Sequence, residues 1–510
     1  MHFSRCDVLG SVLGLRSVSR GPDDLGRNHS IGIRPAAGGG RINHGDRHEA
    51  FDATIANVAL PQLEQNLGGG VDLGSWVMTS YLCASAVMAT LTGWLRRRYG
   101  ARQLFAGSIG LFVFASLLCS IAPSPAALIQ FRLIQGTAAG IIQPLSQAIL
   151  LDIYPQRDHG RMLAIWGGTI MAGPILGPVL GGVITDLSSW RWIFALNVPL
   201  GFIAILGVGQ VPATAELDAR TGIDAVGIVL LVLGVGSLQM ALERSIGAAR
   251  FFSAEIIAEA AIAILALAAI AVRGMRSRFT LFKFEVFRNL NFVTSVFYNF
   301  IVGAVLFTTI VFLPALSEGP LRYDATQAGL ALSPRGIGTM AMMFVVGYLI
   351  DRIDHRVFLA SGLLITASAL LVISRVPTSD GEIWLASASA LQGLGIGLLF
   401  TPLSALAFST LAPDQRTDAA GVYSLLRQLG YATGVATMTA VLQAKIHSNF
   451  ADLMRDGAVA AQLPAQAIDQ ATFAAYTGCF QTMAIITAGV LPGILLFRVL
   501  RADPVVPIVG

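Results

Sequence analysis

Four ionisable side chains lie within otherwise apolar stretches of this chain, and they are the residues best able to do chemistry there. They are Asp52, Arg132, Arg335 and Arg427, with Glu243 at the end of a further apolar stretch. A charged side chain inside a bilayer is costly and usually serves transport or proton movement. We therefore treat Asp52, Arg132 and Arg427 as candidates for proton coupling or substrate binding, together with Gln135 beside Arg132.

Asp52 lies in the segment FDATIANVALP, and its carboxylate has two interpretations. A carboxylate that alternates between an apolar environment and a neighbouring cation can load and release a proton. The same residue could instead cap the helix that follows it. A role in proton movement is favoured by the resemblance described below.

The three arginines differ in how easily they could reach water. Arg132 lies early in a span, so it could be buried or could extend to the outer interface. Arg427 lies in the middle of SLLRQLGYATG and is expected to face the protein interior or a water-filled cavity. Arg335 follows Pro334 near a helix start, where a structural and a functional role are equally consistent with the sequence.

A further candidate is the glycine- and proline-rich run GGTIMAGPILGPVLGG at 167–182. Small or helix-bending residues recur every four positions, at Gly173, Pro174, Gly177, Pro178 and Gly181. This spacing leaves one helix face without large side chains, and proline permits a bend. The run predicts a helix that packs between moving parts, although ordinary small-residue packing would also explain it.

The elements that position these residues are membrane spans. The chain has 510 residues, of which 13% are charged, and a mean hydropathy of +0.68. A soluble protein carries about 25% charged residues. Apolar stretches long enough to cross a bilayer fall at 75–95, 103–122, 126–148, 161–184, 191–211, 223–242, 254–272, 291–314, 327–350, 357–375, 383–405, 417–442 and 476–499. The fold class is therefore an all-α integral membrane protein, with 51–67 too short to cross.

Two loops repeat each other, GWLRRRYGAR at 93–102 and GYLIDRIDHR at 347–356. Basic residues are concentrated in the loops on their side, which the positive-inside rule places in the cytoplasm. Gly93 and Gly347 are 254 residues apart and eight helices separate the two loops. Two six-helix halves with two inserted central helices, 223–242 and 254–272, explain this spacing (6+2+6). The predicted gating residues are Gly93, Arg97, Gly100, Gly347, Asp351 and Arg352.

These boundaries divide the chain into five parts. We predict a non-membrane segment 1–50, an N-terminal half 51–211, an inserted pair with linker 212–290, a C-terminal half 291–500 and a cytoplasmic tail 501–510. Residues 279–290 are predicted to form an interfacial helix, and 443–475 an outer loop with a small helical extension. Residues 1–50 are rich in Arg, Gly and His and cannot line a bilayer core. They are expected to be disordered or mistranslated, with the first membrane helix truncated.

Several classes of function lack support in the sequence. The four cysteines show no metal-binding spacing, and no phosphate-binding GxxxxGK[ST] loop, HExxH or GxSxG motif occurs. We therefore expect no enzyme activity, metal or cofactor. The net charge of +4 belongs to short loops between spans and predicts no nucleic-acid partner.

These motifs together resemble the major facilitator superfamily, and within it the 14-helix drug:proton antiporter branch, the EmrB/QacA family (DHA2). DATIANVALP resembles the family's first-helix motif, GWLRRRYGAR its loop motif A, FRLIQG its fourth-helix motif, and the Gly/Pro run its antiporter motif. WRWIFALNVPLG at 190–201 and the segment 222–243 are also similar, the latter especially to EmrB-like members. The resemblance covers about residues 51–500.

The resemblance implies a proton-driven exporter of hydrophobic or cationic drugs in the inner membrane of a bacterium, exchanging them for protons. It implies that Asp52 takes part in proton coupling or cation recognition and that Arg132 belongs to a proton-linked network. It also implies a periplasmic adaptor (EmrA-like) and an outer-membrane channel as partners.

Two features depart from the family pattern. Arg97 stands where motif A normally has an aspartate, whereas the second loop keeps the acid as Asp351. The segment before Asp52 is polar where the family has an apolar half-helix. Export of a specific metabolite or siderophore, and an inactive remnant, therefore remain alternative interpretations of the sequence.

Overall fold

The computed structural model describes residues 73–170, 188–208, 224–247, 253–276, 284–377, 381–455 and 464–497, with the single positions 63, 66, 67, 173 and 184. Helices occupy most of these ranges, and no strand occurs within them. The first six labelled helices are α1 (Leu73–Tyr99), α2 (Ala101–Ser120), α3 (Pro125–Ile153), α4 (Arg191–Gly207), α5 (Ala225–Gly247) and α6 (Ala254–Arg276). Residues 159–170 between α3 and α4 are also helical.

The later helices are α7 (Leu290–Glu318), α8 (Ala325–Leu349), α9 (His355–Ile373), α10 (Gly381–Ser409), α11 (Arg416–Arg455) and α12 (Pro464–Gly489). Short 3-10 turns lie at Gln156–Asp158, Phe284–Arg288, Pro413–Gln415 and Leu491–Leu496. Each predicted span within the described ranges coincides with a helix. The span predicted at 161–184 is described only in part.

Two predicted connecting segments are partly helical. The outer loop predicted at 443–475 with a small helical extension has more helix than expected, because α11 runs to Arg455 and α12 begins at Pro464. The interfacial helix predicted at 279–290 is described only from Phe284, where a 3-10 turn, Phe284–Arg288, precedes the start of α7. The end of the apolar stretch at 442 predicted the end of the span. A helix can continue into water beyond the bilayer, as α11 does.

Local sequence explains several helix starts. The Ser124 hydroxyl accepts a hydrogen bond from the Ala127 amide, and proline occupies the first turn of α3. Asp324 and Gln327 form a reciprocal capping box at the start of α8. Gly100, between α1 and α2, has φ 80° and ψ 153°, a conformation that favours glycine. The motif glycine therefore permits the sharp reversal between these two helices.

Glycines show that the two halves are built alike. A side chain at Gly136 of α3 would collide with the Tyr81 carbonyl oxygen of α1, and one at Gly393 of α10 with the Arg335 carbonyl oxygen of α8. Tyr81 and Arg335 are 254 residues apart, the same separation as Gly93 and Gly347. Corresponding helix pairs thus touch through corresponding glycines, so the repeat inferred from two loops extends into the membrane.

Replacing Gly136 with alanine is expected to lower the free energy of unfolding in detergent by about 2 kcal/mol, and with it the melting temperature. The reason is that a methyl group there meets main-chain atoms that cannot rotate away. Gly107→Ala is the matched control, since an added methyl at Gly107 has nothing within 4 Å. Equal melting temperatures for the two variants would show that this close approach is not required.

Eight helices within the described residues are long and apolar enough to cross a membrane. Helices α1, α3 and α11 are of spanning length but are not among these eight. Helix α3 carries Arg132, Gln135 and Gln143, and α11 carries Arg427. These polar side chains lower the apolarity of the two helices.

The two inserted helices form a hairpin fastened at both ends. Arg273 of α6 donates to Asp224 beside α5 at 2.8 Å, and Arg244 of α5 donates to Glu255 of α6 at 2.8 Å. Helix α5 packs against both α1 and α11. The inserted hairpin therefore lies against one helix from each half. The residue boundaries of the three parts, six helices, two inserted helices and six helices, remain predictions.

Candidate functional site

Arg132 of α3 lies within the N-terminal half rather than at the interface, with 0% of its surface exposed. Its Nη1 donates to Gln135 Oε1 at 2.8 Å, and its guanidinium lies 4.3 Å from the centre of the Tyr81 ring. A guanidinium over an aromatic face is attracted by the ring quadrupole, and more strongly when water is excluded. Arg132 is therefore held from two sides, by an amide and by a ring.

Gln135 extends this contact into a polar network across three helices. Its Nε2 donates to Ser116 Oγ of α2 at 3.1 Å, and Asn197 Nδ2 of α4 donates to the same oxygen at 2.9 Å. Ser116 in turn donates to the carbonyl oxygen of Phe194 at 2.9 Å. All three polar side chains are buried. A buried network whose members are hydrogen-bonded to one another holds each side chain in one orientation.

Arg427 of α11 is 6% exposed and contacts the other half of the molecule. Its Nη2 donates to Gln143 Oε1 of α3 at 2.8 Å, and Ser424 Oγ donates to the same oxygen at 3.3 Å. The guanidinium lies 5.5 Å from the centre of the Phe400 ring. Arg427 thus joins the two halves at the middle of the spanning region.

The predicted gating loop of the N-terminal half meets the start of α11. Arg97 Nη1 donates to both carboxylate oxygens of Asp418 at 2.7 Å. Gly93 allows this approach, because a side chain there would overlap the Asp418 carboxylate. Arg96 adds hydrogen bonds to Asp152 and to Thr417. The acid that the first loop lacks is therefore provided by the other half of the chain, at Asp418.

The second loop makes the reciprocal contact. A side chain at Gly347 of α8 would lie 2.5 Å from Ala164 Cβ in the helical segment 159–170, and Gly160 lies against Ile350. Asp351 and Arg352 are exposed, and the Arg352 guanidinium lies 5.2 Å from the Tyr348 ring centre. Each loop therefore meets the opposite half, so the two halves are closed against each other at the basic, predicted cytoplasmic end.

His159 is buried at this closed end, with 7% of its surface exposed, and its Nε2 lies 3.0 Å from the Tyr154 carbonyl oxygen. Burial lowers its pKa below the ordinary value, and Arg416 of the other half lowers the pKa further, while hydrogen bonds to Tyr154 and Leu151 and the charge of Asp152 raise it. Separation of the halves would expose His159 and remove Arg416. His159 therefore binds a proton more tightly when the halves are separated at this end than when they are closed.

Acid is accordingly expected to open this end. The closed arrangement is fully favoured above about pH 6.5, the ordinary pKa of histidine, and loses stability as pH falls from there through the lowered pKa of His159. Spin labels at Arg157 and Arg352, one on each half, report the separation. His159→Gln should give distances that no longer depend on pH in this range. An unchanged pH profile in that variant would assign the effect to another group.

Several predicted residues lie outside the described part. These are Asp52, Pro174, Gly177, Pro178 and Gly181, and the side chain of Glu243; Gly173 is helical and buried. Arg335 of α8 is partly exposed, with its Nη1 buried and without a hydrogen-bond partner in the described residues. The roles assigned to all these residues remain predictions.

Sequence reasoning missed three residues that complete these contacts: Asp418, Gln143 and Gln392. Asp418 lies at a helix start, where an acid is commonly a cap or dipole partner. Gln392 of α10 is the counterpart of Gln135 in the sequence repeat. Each glutamine is followed directly by a glycine, and a second glycine lies four residues after the first. Its Nε2 donates to Thr309 Oγ1 at 3.0 Å, so both halves carry a buried glutamine at this position. That second repeat was visible in the sequence.

The chain belongs to the major facilitator superfamily, since the Major Facilitator Superfamily family model matches residues 49–435. The multidrug export protein EmrB of Haemophilus influenzae is 35% identical over 395 residues, covering 77% of each chain. EmrB of Escherichia coli strain K12 is also 35% identical over 395 residues, with 77% of each chain covered. The fatty acid resistance protein FarB of Neisseria gonorrhoeae is 34% identical over 417 residues, covering 79% of this chain and 80% of its own.

Solved structures agree on the fold. The human organic anion transporter MFSD10 (TETRAN) superposes with a TM-score of 0.60 at 17% identity, covering 88% of this chain and 98% of that one. The proton:xylose symporter XylE superposes with a TM-score of 0.59 at 14% identity, covering 89% and 94%. The predicted all-α major facilitator fold, the likeness to the EmrB/QacA group and the multi-pass inner-membrane location are confirmed.

Proposed function

We propose that the chain is a proton-coupled multidrug efflux transporter, a drug:proton antiporter that exports hydrophobic or amphipathic compounds by alternating access. The observation that carries the proposal is the reciprocal contact of the two gating loops with opposite halves. Two like halves closed at one end can expose a shared interior at the other end. The names of the EmrB relatives support drugs as the substrates.

Proton coupling is supported by the buried polar groups. Arg132 and Gln135 lie on α3, which also carries Gln143, the partner of Arg427 across the halves. Asp52 is the carboxylate proposed to bind the proton, and its protonation would remove one negative charge that could balance Arg132. The helix that carries Arg132 also contacts the opposite half through Gln143. This offers a physical route from proton binding to the relative position of the halves.

Assembly with other proteins is part of the proposal. Helix α11 has 40 residues and is about 60 Å long, whereas a bilayer core is about 30 Å thick. The part of α11 beyond 442 therefore extends about 20 Å past the predicted span, and α12 packs beside α11. A helical projection on the outer face suits a periplasmic adaptor, which would connect to an outer-membrane channel. We propose no enzymatic activity.

The proposal is tested with purified protein in liposomes under an imposed pH gradient. A fluorescent lipophilic cation such as ethidium, and separately an aromatic carboxylate, are expected to accumulate only while the gradient lasts, with measurable proton movement in the opposite direction. A protonophore should stop accumulation. Transport that continues after the gradient is collapsed would reject proton coupling, and Asp52→Asn with unchanged coupling would show that the proton binds elsewhere.

A further inference from the structure

We propose that Arg427 is the residue that determines charge preference in the interior of this transporter, by forming a subsite that binds the carboxylate of an amphipathic organic anion. This inference rests on the proposed function and deepens it by naming a residue that selects between the hydrophobic or cationic drugs that the family resemblance implies and anions of the same shape. It rests on the burial, partners and charge balance around Arg427.

Arg427 is not fully satisfied by its protein partners. Its Nη2 is used by Gln143, which is neutral, while its Nε is buried and has no hydrogen-bond partner in the part of the chain described. The side chain is 94% buried, since its exposed fraction is 6%. A buried donor without a partner costs about 1–3 kcal/mol, and more for a charged group. A carboxylate from a ligand would satisfy both the free donor and the charge.

The charge balance of the interior also favours an anion. The sequence places three guanidinium groups in spans, at Arg132, Arg335 and Arg427, and a carboxylate, Asp52, in the short segment before the first span. The other carboxylates within the span ranges lie within six residues of a span end, at Asp224, Glu255, Glu259 and Asp418. Among the described residues, carboxylates lie at or near helix ends, and Asp418, nine residues before Arg427 in α11, is already paired with Arg97. The interior therefore retains a positive excess even if Asp52 is ionised. Complementary charge selects ligands more than it adds affinity.

An apolar platform lies next to this cation. Tyr431, one helical turn beyond Arg427 towards the outer end, stacks on Phe307 of α7 with ring centres 4.9 Å apart and an interplanar angle of 11°. Tyr431 and Phe307 are partly exposed, as is Gln143 beside the guanidinium. Phe400 lies on another side of Arg427. A ligand with its carboxylate at Arg427 could therefore place its ring or chain against these aromatic side chains.

Three probes with the same ring and different charge test this subsite: 2-naphthoate, neutral 2-naphthamide and cationic 2-naphthylmethylammonium. Binding is measured with radiolabelled probes and full-length protein in nanodiscs, with empty nanodiscs as background. Wild type should bind naphthoate at least about tenfold more tightly than the amide, the ratio expected for one hydrogen bond to a charged group. Arg427→Gln should remove this ratio, so that naphthoate and the amide bind with equal affinity.

Two further variants keep the test decisive if Arg427→Gln folds poorly. Gln143→Glu has nearly the same shape but places a carboxylate beside Arg427, so it should remove the naphthoate preference. Arg191→Gln removes an arginine that donates to the Ala122 carbonyl oxygen at the outer end of α4, and it should preserve the preference. The proposal is overturned if naphthoate does not bind to wild type, if the ammonium probe binds as tightly, or if Gln143→Glu keeps the preference.

The outcomes separate this inference from the proposed function. Proton-driven transport of ethidium with no preference for naphthoate would reject the anion subsite and leave the antiporter intact. A naphthoate preference that depends on Arg427, with no proton movement driven by any compound, would support the subsite and reject the antiporter.

Discussion

Replacing Asp418 with asparagine is expected to open the transporter at its basic end and to reduce drug export about 30-fold. The variant keeps the size of the side chain but removes the charge that accepts both hydrogen bonds from Arg97. Breaking a fully buried pair costs about 3–5 kcal/mol. Arg97 is 27% exposed, so the loss should be nearer 2 kcal/mol, equivalent to about a 30-fold change in the ratio of closed to open molecules.

The measurement is the distance between spin labels at Arg157 and Arg352, combined with transport in liposomes. The four native cysteines are first replaced so that only these sites are labelled. Glu255→Gln is the matched control, since it removes an exposed partner of Arg244 in the inserted hairpin, away from the loops. It should change neither distance nor transport. A distance distribution in Asp418→Asn equal to that of wild type would show that this ion pair does not hold the gate.

Arg132→Lys is expected to reduce proton-driven transport about a hundredfold while the protein still folds. Lysine keeps the positive charge but lacks the flat guanidinium that both donates to Gln135 and lies over the Tyr81 ring. Gln135 then loses the donor held at 2.8 Å from its Oε1. Losing a charge-assisted hydrogen bond together with a desolvated cation–π contact amounts to about 3 kcal/mol, or about two powers of ten.

Arg191→Lys is the control for this substitution, because Arg191 also lies over an aromatic ring, 4.3 Å from the centre of Trp190, but at a helix end. Its replacement should cost less than about threefold in transport, as expected for a partly exposed contact. Thermal unfolding of both variants separates misfolding from loss of function. Full transport by Arg132→Lys would remove Arg132 from the proton-linked network and leave it as a packing residue.

Much of the architecture could be predicted without coordinates. A helix that crosses a bilayer must be about 20 apolar residues long, so the spans could be predicted from the apolar stretches in the sequence. The repeat was visible at Gly93 and Gly347 because a tight interhelical contact permits only glycine. Arg132 and Arg427 were conspicuous because charge inside an apolar stretch is rare. Helix ends were less predictable, and α11 continues well beyond its apolar part.

The sequence by itself therefore determined the class of protein, its two like halves and the arginines of its interior, because each follows from the energy of placing a residue in lipid. Only the tertiary structure decided which groups these residues meet. Arg97 finds its acid at Asp418, 321 residues further along, and Arg427 finds Gln143 in the other half. These contacts depend on how the two halves pack against each other, and residues far apart in the chain carry no local sequence pattern that predicts such packing.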